Sequence, residues 1–241
     1  MLAGGGGDVA VLAVQVTPST VLAAWPGRRL FAVALPGQAD YDEPEKAGII
    51  SWRAAVKLNL GCGPNKIDGF VNIDKSPACD PDRVIDLEEL PWPFASDSVS
   101  EVAMIHVLEH LGADTDTFLG IMKELYRVCR PGAPITIVVP HPRHDNFLGD
   151  PTHVRPILPE TLQLFSRARN EEWRHMDASN TPLAFYLDVD FELTSVDMQL
   201  DKAWSDLAQA EQFDENLMNE TIRRYNNVVN QVTCKLKAVK D

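Results

Sequence analysis

The sequence predicts an α/β protein built on one mostly parallel β-sheet. From Val56 onward, short apolar stretches typical of buried strands alternate with polar turns and helical segments. The first stretch, "VKLNLG", leads directly into a glycine turn, and an amphipathic segment later leads into the apolar stretch "PITIVVP". Alternation of this kind is typical of parallel strands joined by right-handed crossovers.

Five strands and one long helix are expected in the first part of this region. The fourth strand is expected over Val102 to His106, after which "VLEHL" turns helical. An amphipathic helix follows, and its basic end and Pro-Gly turn suit a helix C-terminus. The strand segments are "VKLNLG", "FVNID", "RVIDLEEL", "VSEVAMIH" and "PITIVVP", and the helix carries Phe118, Ile121, Leu125 and Val128 at helical spacing.

The C-terminal part departs from this alternation. Residues 141–182 are predicted to be a loop and helix insertion, in which Pro159 and Glu160 begin a short helix. Two strands are expected in "DVDFELTSVDMQL" and "NQVTCKLKAVK", flanking a long polar helix through "DENLMNETIRRYNNV" with Tyr225 against the sheet. The last strand is expected to run antiparallel and to pair with its predecessor.

The chain is expected to divide into a leader, residues 1–52, and one domain, residues 53–241. Before Asp40 the only charged residues are Asp8, Arg28 and Arg29. A signal peptide is disfavoured, because the basic segment that would precede its apolar stretch is missing. The open interpretations are a poorly ordered leader, a few residues packed on the outside, or a translation start near Val56.

The amino-acid composition bears on which partners the protein can bind and on its compartment. The 22 basic and 35 acidic residues give a net charge of −13, which argues against binding a nucleic-acid backbone. Four scattered cysteines without a C-x-x-C pair suit a reducing compartment. No apolar run has the length needed to cross a bilayer. The sequence therefore predicts a cytoplasmic protein without nucleic-acid or membrane partners, and it leaves the oligomeric state open.

Two glycines and two carboxylates follow successive predicted strands, at the edge where an open parallel sheet binds ligands. Gly61 and Gly63 lack a Cβ, so a ligand can approach their backbone. Asp74 ends the next strand, where a carboxylate can accept hydrogen bonds from a ribose diol. Asp86 ends the third strand and can accept a hydrogen bond from an adenine amine, with the backbone of Leu87 alongside.

Two other interpretations of this turn stay open. The dinucleotide pattern G-x-G-x-x-G has Lys66 in place of its third glycine, which disfavours NAD. An ordinary tight turn is the second alternative, and the acids at two successive strand ends argue against it. Trp92, in "LPWPF", is predicted to pack near the adenine region or the sheet edge.

Four segments together resemble the class I S-adenosylmethionine-dependent methyltransferases. They are "LNLGCGPN", "VNID", "IDLEELPWPFASDSVSEVAMIHVLEHL" and "ELYRVCRPGAPITIVVP", and the resemblance is greatest to small bacterial members with a "DPTHVR" segment. It extends from Val56 to the C-terminus in the expected order. The resemblance implies a Rossmann-like seven-stranded sheet, helices on both faces, an antiparallel last strand and S-adenosylmethionine as the cofactor.

The same resemblance assigns the cofactor site. Asp74 would hold the ribose, Asp86 and Leu87 would meet the adenine, and His106 would lie beside the sulfonium. In one departure from the family, only residues 64–73 separate the glycine loop from Asp74, so a single turn is expected in place of a helix. The loop itself would be formed by Asn59, Gly61, Cys62 and Gly63.

The segment "HPRHDNFLGDPTHVR" follows the fifth predicted strand, on the rim where a substrate is expected. Histidine suits proton removal from a hydroxyl at neutral pH, so His144 or His153 is predicted to be the catalytic base. Arg143 and Arg155 are predicted to hold an anionic group of the substrate. The further substrate-binding residues are predicted to be His141 and Asp145.

Two patterns that could indicate a metal site are weaker than the evidence for a substrate rim. The histidines of this segment fit no established ligand spacing with Asp145 and Asp150, so no metal is expected. "HVLEH" matches the H-x-x-E-H pattern of certain zinc proteases, but its first histidine falls at a strand end rather than within a helix. Glu109 and His110 are expected to serve in capping and packing.

These observations predict methyl transfer from S-adenosylmethionine to a hydroxyl or carboxylate of a small molecule or glycan precursor. Nucleobase methylation is disfavoured, because the Pro-Pro-aromatic run found after the fourth strand of such relatives is replaced here by "IHVL". The alternative is a non-catalytic module that binds S-adenosylmethionine.

Overall fold

Seven strands form one sheet in the computed structural model, which describes residues 55–211 and 213–240. The predicted leader, residues 1–52, lies outside the described residues. In chain order the strands are β1 (Val56–Leu60), β2 (Val71–Asp74), β3 (Arg83–Val84), β4 (Val99–Ile105), β5 (Pro134–Pro140), β6 (Phe191–Leu200) and β7 (Val229–Ala238).

The strand order reverses between β1 and β4. Across the sheet the order is β3-β2-β1-β4-β5-β7-β6, so the chain moves outward from β1 to β3 and then returns to the other side of β1. The first five strands are parallel, and β7 runs antiparallel to both β5 and β6. This confirms the predicted Rossmann-like α/β class with its antiparallel last strand. The reversal is the place where such sheets open a crevice for a ligand.

The predicted amphipathic helix is α1 (Thr115–Val128), which begins where the Asp114 carboxylate accepts a hydrogen bond from the Thr117 amide, 3.0 Å away. Its apolar face is buried at the four positions expected from their spacing. The remaining helices of the described residues are α2 (Asp145–Leu148), α3 (Pro159–Gln163), α4 (Arg167–His175), α5 (Leu183–Leu187), α6 (Lys202–Glu211) and α7 (Glu215–Arg224).

Three local predictions need correction. The strand β4 starts three residues earlier than expected, and it is followed by one 3-10 turn, Leu108–His110, rather than by a longer helix. The predicted polar helix through residues 214–228 is α7, which already ends at Arg224, and a separate helix, α6, precedes it. Tyr225 is 54% exposed and packs on Trp204, with 5.5 Å between the ring centroids, rather than against the sheet. Tyr225 caps α7 with extended backbone angles, so it no longer follows the buried face of that helix.

Side-chain amides hold the first crossover, between β1 and β2, which contains turns and no helix. Asn59 Nδ2 donates to the Asn65 carbonyl at 3.0 Å and to Asn72 Oδ1 at 2.9 Å, and Asn72 Oδ1 also accepts from the Ile67 amide at 2.8 Å. The Asp82 carboxylate accepts from the backbone and side-chain nitrogens of Asn72, and these bonds lower the pKa of Asp82. These hydrogen bonds hold the short connection in place between β1 and β2, where a longer connection would contain a helix.

Candidate functional site

The two glycines after β1 have different surroundings. Gly61 has φ +66° and faces Val107, so a Cβ placed on Gly61 would lie 2.2 Å from Val107 Cγ2. Gly63 has φ +49°, and a Cβ placed there would meet no heavy atom within 4 Å. Gly61 therefore allows the loop to pack against the residues after β4. Gly63 is the glycine whose backbone faces open space at the strand reversal, where a ligand can approach it.

The Asp74 carboxylate joins the ends of β1 and β2. Its Oδ2 accepts a hydrogen bond from the Gly63 amide, and its Oδ1 accepts one from the Ser76 amide, both at 2.8 Å. An ionised carboxylate offers about four acceptor positions. Two acceptor positions therefore remain available to a ligand, on a carboxylate whose orientation the loop already sets.

Asn59 and Cys62 lie beneath the loop rather than on its open face. Asn59 is 2% exposed and Cys62 is buried, and burial raises the pKa of the Cys62 thiol. The Cys62 amide donates to the Ile73 carbonyl at 2.8 Å. Both residues were predicted to hold the cofactor, and their burial indicates that they act by shaping the loop from inside.

The segment after β3 presents Asp86 and turns Leu87 inward. Asp86 is partly exposed, and its Oδ1 accepts from the Glu88 amide at 3.0 Å. The Leu87 carbonyl accepts from the indole nitrogen of buried Trp92 at 3.0 Å, and the Trp92 amide donates to Glu124 Oε1 on α1 at 2.7 Å. Trp92 thus lies on the protein side of the predicted adenine region and ties that segment to α1.

His106 stands at the carboxyl end of β4, on the sheet edge predicted for it. Its backbone adopts φ +53°, its amide donates to the Val138 carbonyl at 2.8 Å, and its side chain is 48% exposed. Its Nδ1 lies 3.5 Å from Glu109 Oε1. The contact with the Glu109 carboxylate raises the pKa of His106, against the opposing effect of burial.

The structure turns His141 and His144 into the protein. His141 Nδ1 accepts from the Arg143 amide at 3.2 Å, and burial together with the charges of Arg143 and His144 lowers the pKa of His141 to about 4. His144 Nδ1 accepts from the Asn146 amide at 3.0 Å and so caps α2, while its Nε2 lies 3.5 Å from Asp201 Oδ2. This placement disfavours both residues for substrate contact and disfavours His144 as the base.

Two other predicted substrate residues hold the insertion to α7 and its flank. Arg143 donates to the Arg223 carbonyl, near the end of α7, at 2.8 Å. Asp145 begins α2 with an exposed side chain, and its backbone amide donates to Asn227 Oδ1 at 2.8 Å. The Asp145 carboxylate stays accessible, whereas the Arg143 guanidinium is already engaged with the protein.

Arg155 contacts the segment that precedes α1. Its Nε and one terminal nitrogen donate to the Gly112 carbonyl at 3.2 and 2.6 Å, and the guanidinium lies 4.3 Å above the centre of the Phe118 ring. These contacts are a cation–π interaction and a forked hydrogen bond within the protein. They favour a structural role for Arg155 over the predicted grip on an anionic substrate group.

His153 reaches the 3-10 turn after β4. Its Nδ1 lies 2.9 Å from the Phe147 carbonyl, its ring stacks on Phe147, and its Nε2 lies 3.8 Å from Asp150 Oδ2. The His153 ring meets the edge of the His110 ring, with 4.6 Å between centroids. Asp150 caps its own turn by accepting from the Thr152 amide at 2.8 Å.

Glu109 has surroundings that its position in the sequence does not predict. Its carboxylate is 1% exposed, and neither oxygen has a hydrogen-bond partner among the described residues. Packing and capping were expected for it, but capping provides hydrogen bonds that this carboxylate lacks. The signal in the sequence was the acid of "HVLEH", which lies next to a histidine in the chain.

Comparison with known proteins shows the fold. No protein-family model and no curated protein matches the chain. It is similar to a SAM dependent methyltransferase from Archaeoglobus fulgidus, at 19% identity and TM-score 0.50, covering 77% of this chain and 86% of that one. It is also similar to a putative S-adenosylmethionine dependent methyltransferase from Listeria monocytogenes, at 13% identity and TM-score 0.44, covering 77% and 92% of the two chains. The match to the Archaeoglobus fulgidus structure, with the strand order, shows the Rossmann-like methyltransferase fold.

Within residues 55–211 and 213–240, no helix is both long enough and apolar enough to span a membrane.

Proposed function

We propose that the protein is an S-adenosylmethionine-dependent methyltransferase that acts on a small molecule or a glycan precursor. The observation that carries the proposal is the pair formed by Gly63 and Asp74. The Gly63 backbone faces open space at the strand reversal, and its amide donates a hydrogen bond, at 2.8 Å, to the Asp74 carboxylate, which retains free acceptor positions. A backbone cradle beside an acid at the next strand end is what the nucleoside part of the cofactor requires.

The chain's own residues divide the work of binding and orientation. Asp74 would accept from the ribose hydroxyls, and partly exposed Asp86 would accept from the adenine amine. His106 extends from the same sheet edge with half of its side chain exposed. S-adenosylmethionine supplies the electrophilic methyl group when bound, and the protein contributes alignment and exclusion of water.

The acceptor is proposed to carry a hydroxyl or a carboxylate. The net charge of −13 opposes a polyanionic nucleic acid as the substrate. A carboxylate acceptor needs no base, whereas a hydroxyl has to lose a proton. The identity of the base stays a prediction, since His144 caps α2 and the His153 side chain is 8% exposed.

Calorimetric titration of the purified chain with S-adenosylmethionine, S-adenosylhomocysteine and NAD tests the cofactor. We expect micromolar binding of the first two and none of the third. Asp74→Ala should reduce the affinity for S-adenosylmethionine by roughly 100-fold or more, because the ribose and the loop amide both lose their acceptor. Asp80→Ala is the matched control, since the Asp80 side chain is 96% exposed and pairs with the Lys66 amine.

An unchanged affinity in Asp74→Ala would place the cofactor elsewhere, and binding of NAD alone would indicate a dehydrogenase. Transfer of a labelled methyl group to pooled hydroxyl and carboxylate metabolites then tests catalysis. Tight cofactor binding without transfer to any pool would support the non-catalytic binding module.

A further inference from the structure

We propose that Glu109, His110 and His153 form a binding site for one divalent transition-metal cation of the zinc type. One potential ligand atom of each residue lies within 4.8 Å of the other two. Two imidazoles and one carboxylate are a donor set that zinc uses where a coordination position stays open. The proposal replaces the expectation of no metal, and it does not depend on the proposed methyl transfer.

The Glu109 carboxylate is buried without the partners that would stabilise its negative charge. It is 1% exposed, and both of its oxygens lack a hydrogen-bond partner among the described residues. The ionic contact that the structure shows is with His106, whose Nδ1 lies 3.5 Å from Oε1. A buried carboxylate is strongly disfavoured unless charge and hydrogen bonds compensate it. One long contact to a half-exposed imidazole compensates a single oxygen incompletely.

Both imidazoles keep Nε2 available as a ligand. His153 Nδ1 lies 2.9 Å from the Phe147 carbonyl, and His110 Nδ1 lies 3.2 Å from the Thr152 carbonyl. The Thr152 hydroxyl oxygen is 3.0 Å from His110 Nδ1 and also acts as an acceptor there, because its own hydrogen is donated to Asp150 Oδ1 at 2.6 Å. A carbonyl oxygen only accepts, so Nδ1 carries the hydrogen in each neutral ring and Nε2 keeps its lone pair. Metal-binding histidines characteristically donate their other ring nitrogen to a carbonyl or carboxylate in this way.

The backbone brings the two ligand segments together. The amides of Val154 and Arg155 donate to the Glu109 carbonyl at 2.9 and 3.1 Å, which fixes the "DPTHVR" loop on the Leu108–His110 turn. Zinc–nitrogen bonds of about 2.0–2.1 Å place tetrahedral ligands about 3.3 Å apart. The ligand atoms therefore have to converge by at most about 1.5 Å, which side-chain rotation provides.

A fourth ligand is within reach at the outer side of the site. Asp150 Oδ2 lies 3.8 Å from His153 Nε2, and the Asp150 side chain is partly exposed. Either this carboxylate or water can complete a tetrahedron around the cation. In the metal-bound form the Nε2 lone pair of His153 is used for coordination, so His153 would be a ligand and not a catalytic base.

The test uses the full chain, reduced and stripped of metal with a chelator. It is titrated with Zn²⁺ by calorimetry and with Co²⁺ by visible absorption, because tetrahedral Co²⁺ gives a characteristic spectrum. We expect one ion per chain, and we expect Glu109→Gln and His153→Ala each to weaken binding by roughly 100-fold. His175→Ala is the matched control, because His175 is an exposed histidine at the end of α4 and should leave binding unchanged.

Two results would overturn the proposal. One is the absence of saturable binding of either ion by the unmodified chain. The other is binding that persists in both variants, which would assign the ion to other groups. Thermal unfolding of the metal-free proteins is measured alongside: Glu109→Gln should be at least as stable as the unmodified chain, because it removes a buried charge that lacks partners. A marked loss of stability would show that the His106 contact satisfies Glu109, and would contradict the proposal.

Discussion

Replacing Gly61 with alanine is expected to destabilise the fold mainly through one contact. At φ +66° a Cβ costs about 1–2 kcal/mol. The new Cβ would also lie 2.2 Å from Cγ2 of Val107, which is buried and has little room to move, so overpacking adds about 1–3 kcal/mol. The sum, about 2–5 kcal/mol, is a large part of the total stability of about 5–15 kcal/mol that a domain has.

Two further variants separate these contributions. Gly63→Ala is the matched control, because Gly63 has φ +49° and open space around its Cβ direction, so it should lose only the conformational part, about 1–2 kcal/mol. Val107→Ala removes the methyl groups that collide with the new Cβ. The double variant Gly61→Ala/Val107→Ala should therefore be more stable than the sum of the single changes predicts, by about 1–3 kcal/mol.

Urea-induced unfolding of the four variants and the unmodified chain, followed by circular dichroism, measures these differences. Additivity of Gly61→Ala and Val107→Ala within about 0.5 kcal/mol would refute the contact argument. So would a loss in Gly63→Ala as large as that in Gly61→Ala.

Two other predictions concern stability. Asn72→Ala should lower the free energy of unfolding by about 2–4 kcal/mol, because the Asn59 amide, the Ile67 amide and Asp82 all lose a partner. The control Asn146→Ala changes an exposed side chain and should stay within about 0.5 kcal/mol. Equal melting temperatures for the two variants would contradict this prediction. His141 has its folded pKa lowered from 6.5 to about 4, so the unfolded chain binds more protons between these values. Neutral His141 therefore costs the fold nothing above pH 6.5. As the pH drops towards 4, the free energy of unfolding falls, by about 1–2 kcal/mol at pH 5. His141→Gln should flatten that part of a stability–pH curve, and an unchanged slope would disprove the assignment.

The sequence by itself determined the features that depend on local patterns. The strand segments, the buried positions of α1 and the chain order of the motifs follow from which residues alternate between core and solvent. The antiparallel direction of β7 was also expected, and the structure confirms it. Gly63 and Asp74 could be located because a loop glycine and the end of the next parallel strand must share one sheet edge.

Only the tertiary structure decided which way the polar side chains of the insertion point. The segment from His141 to Arg155 contains six of the predicted site residues, yet His144 caps a helix and Arg155 packs on Phe118. The Gly112 and Phe118 partners of Arg155 and the Asp201 carboxylate beside His144 lie tens of residues away in the chain, and spacing carries no information about such contacts. Packing between distant segments, rather than local pattern, sets the direction of each side chain. It gives Gly61 and Gly63 different surroundings, and it brings His153 close to Glu109, 44 positions earlier in the chain.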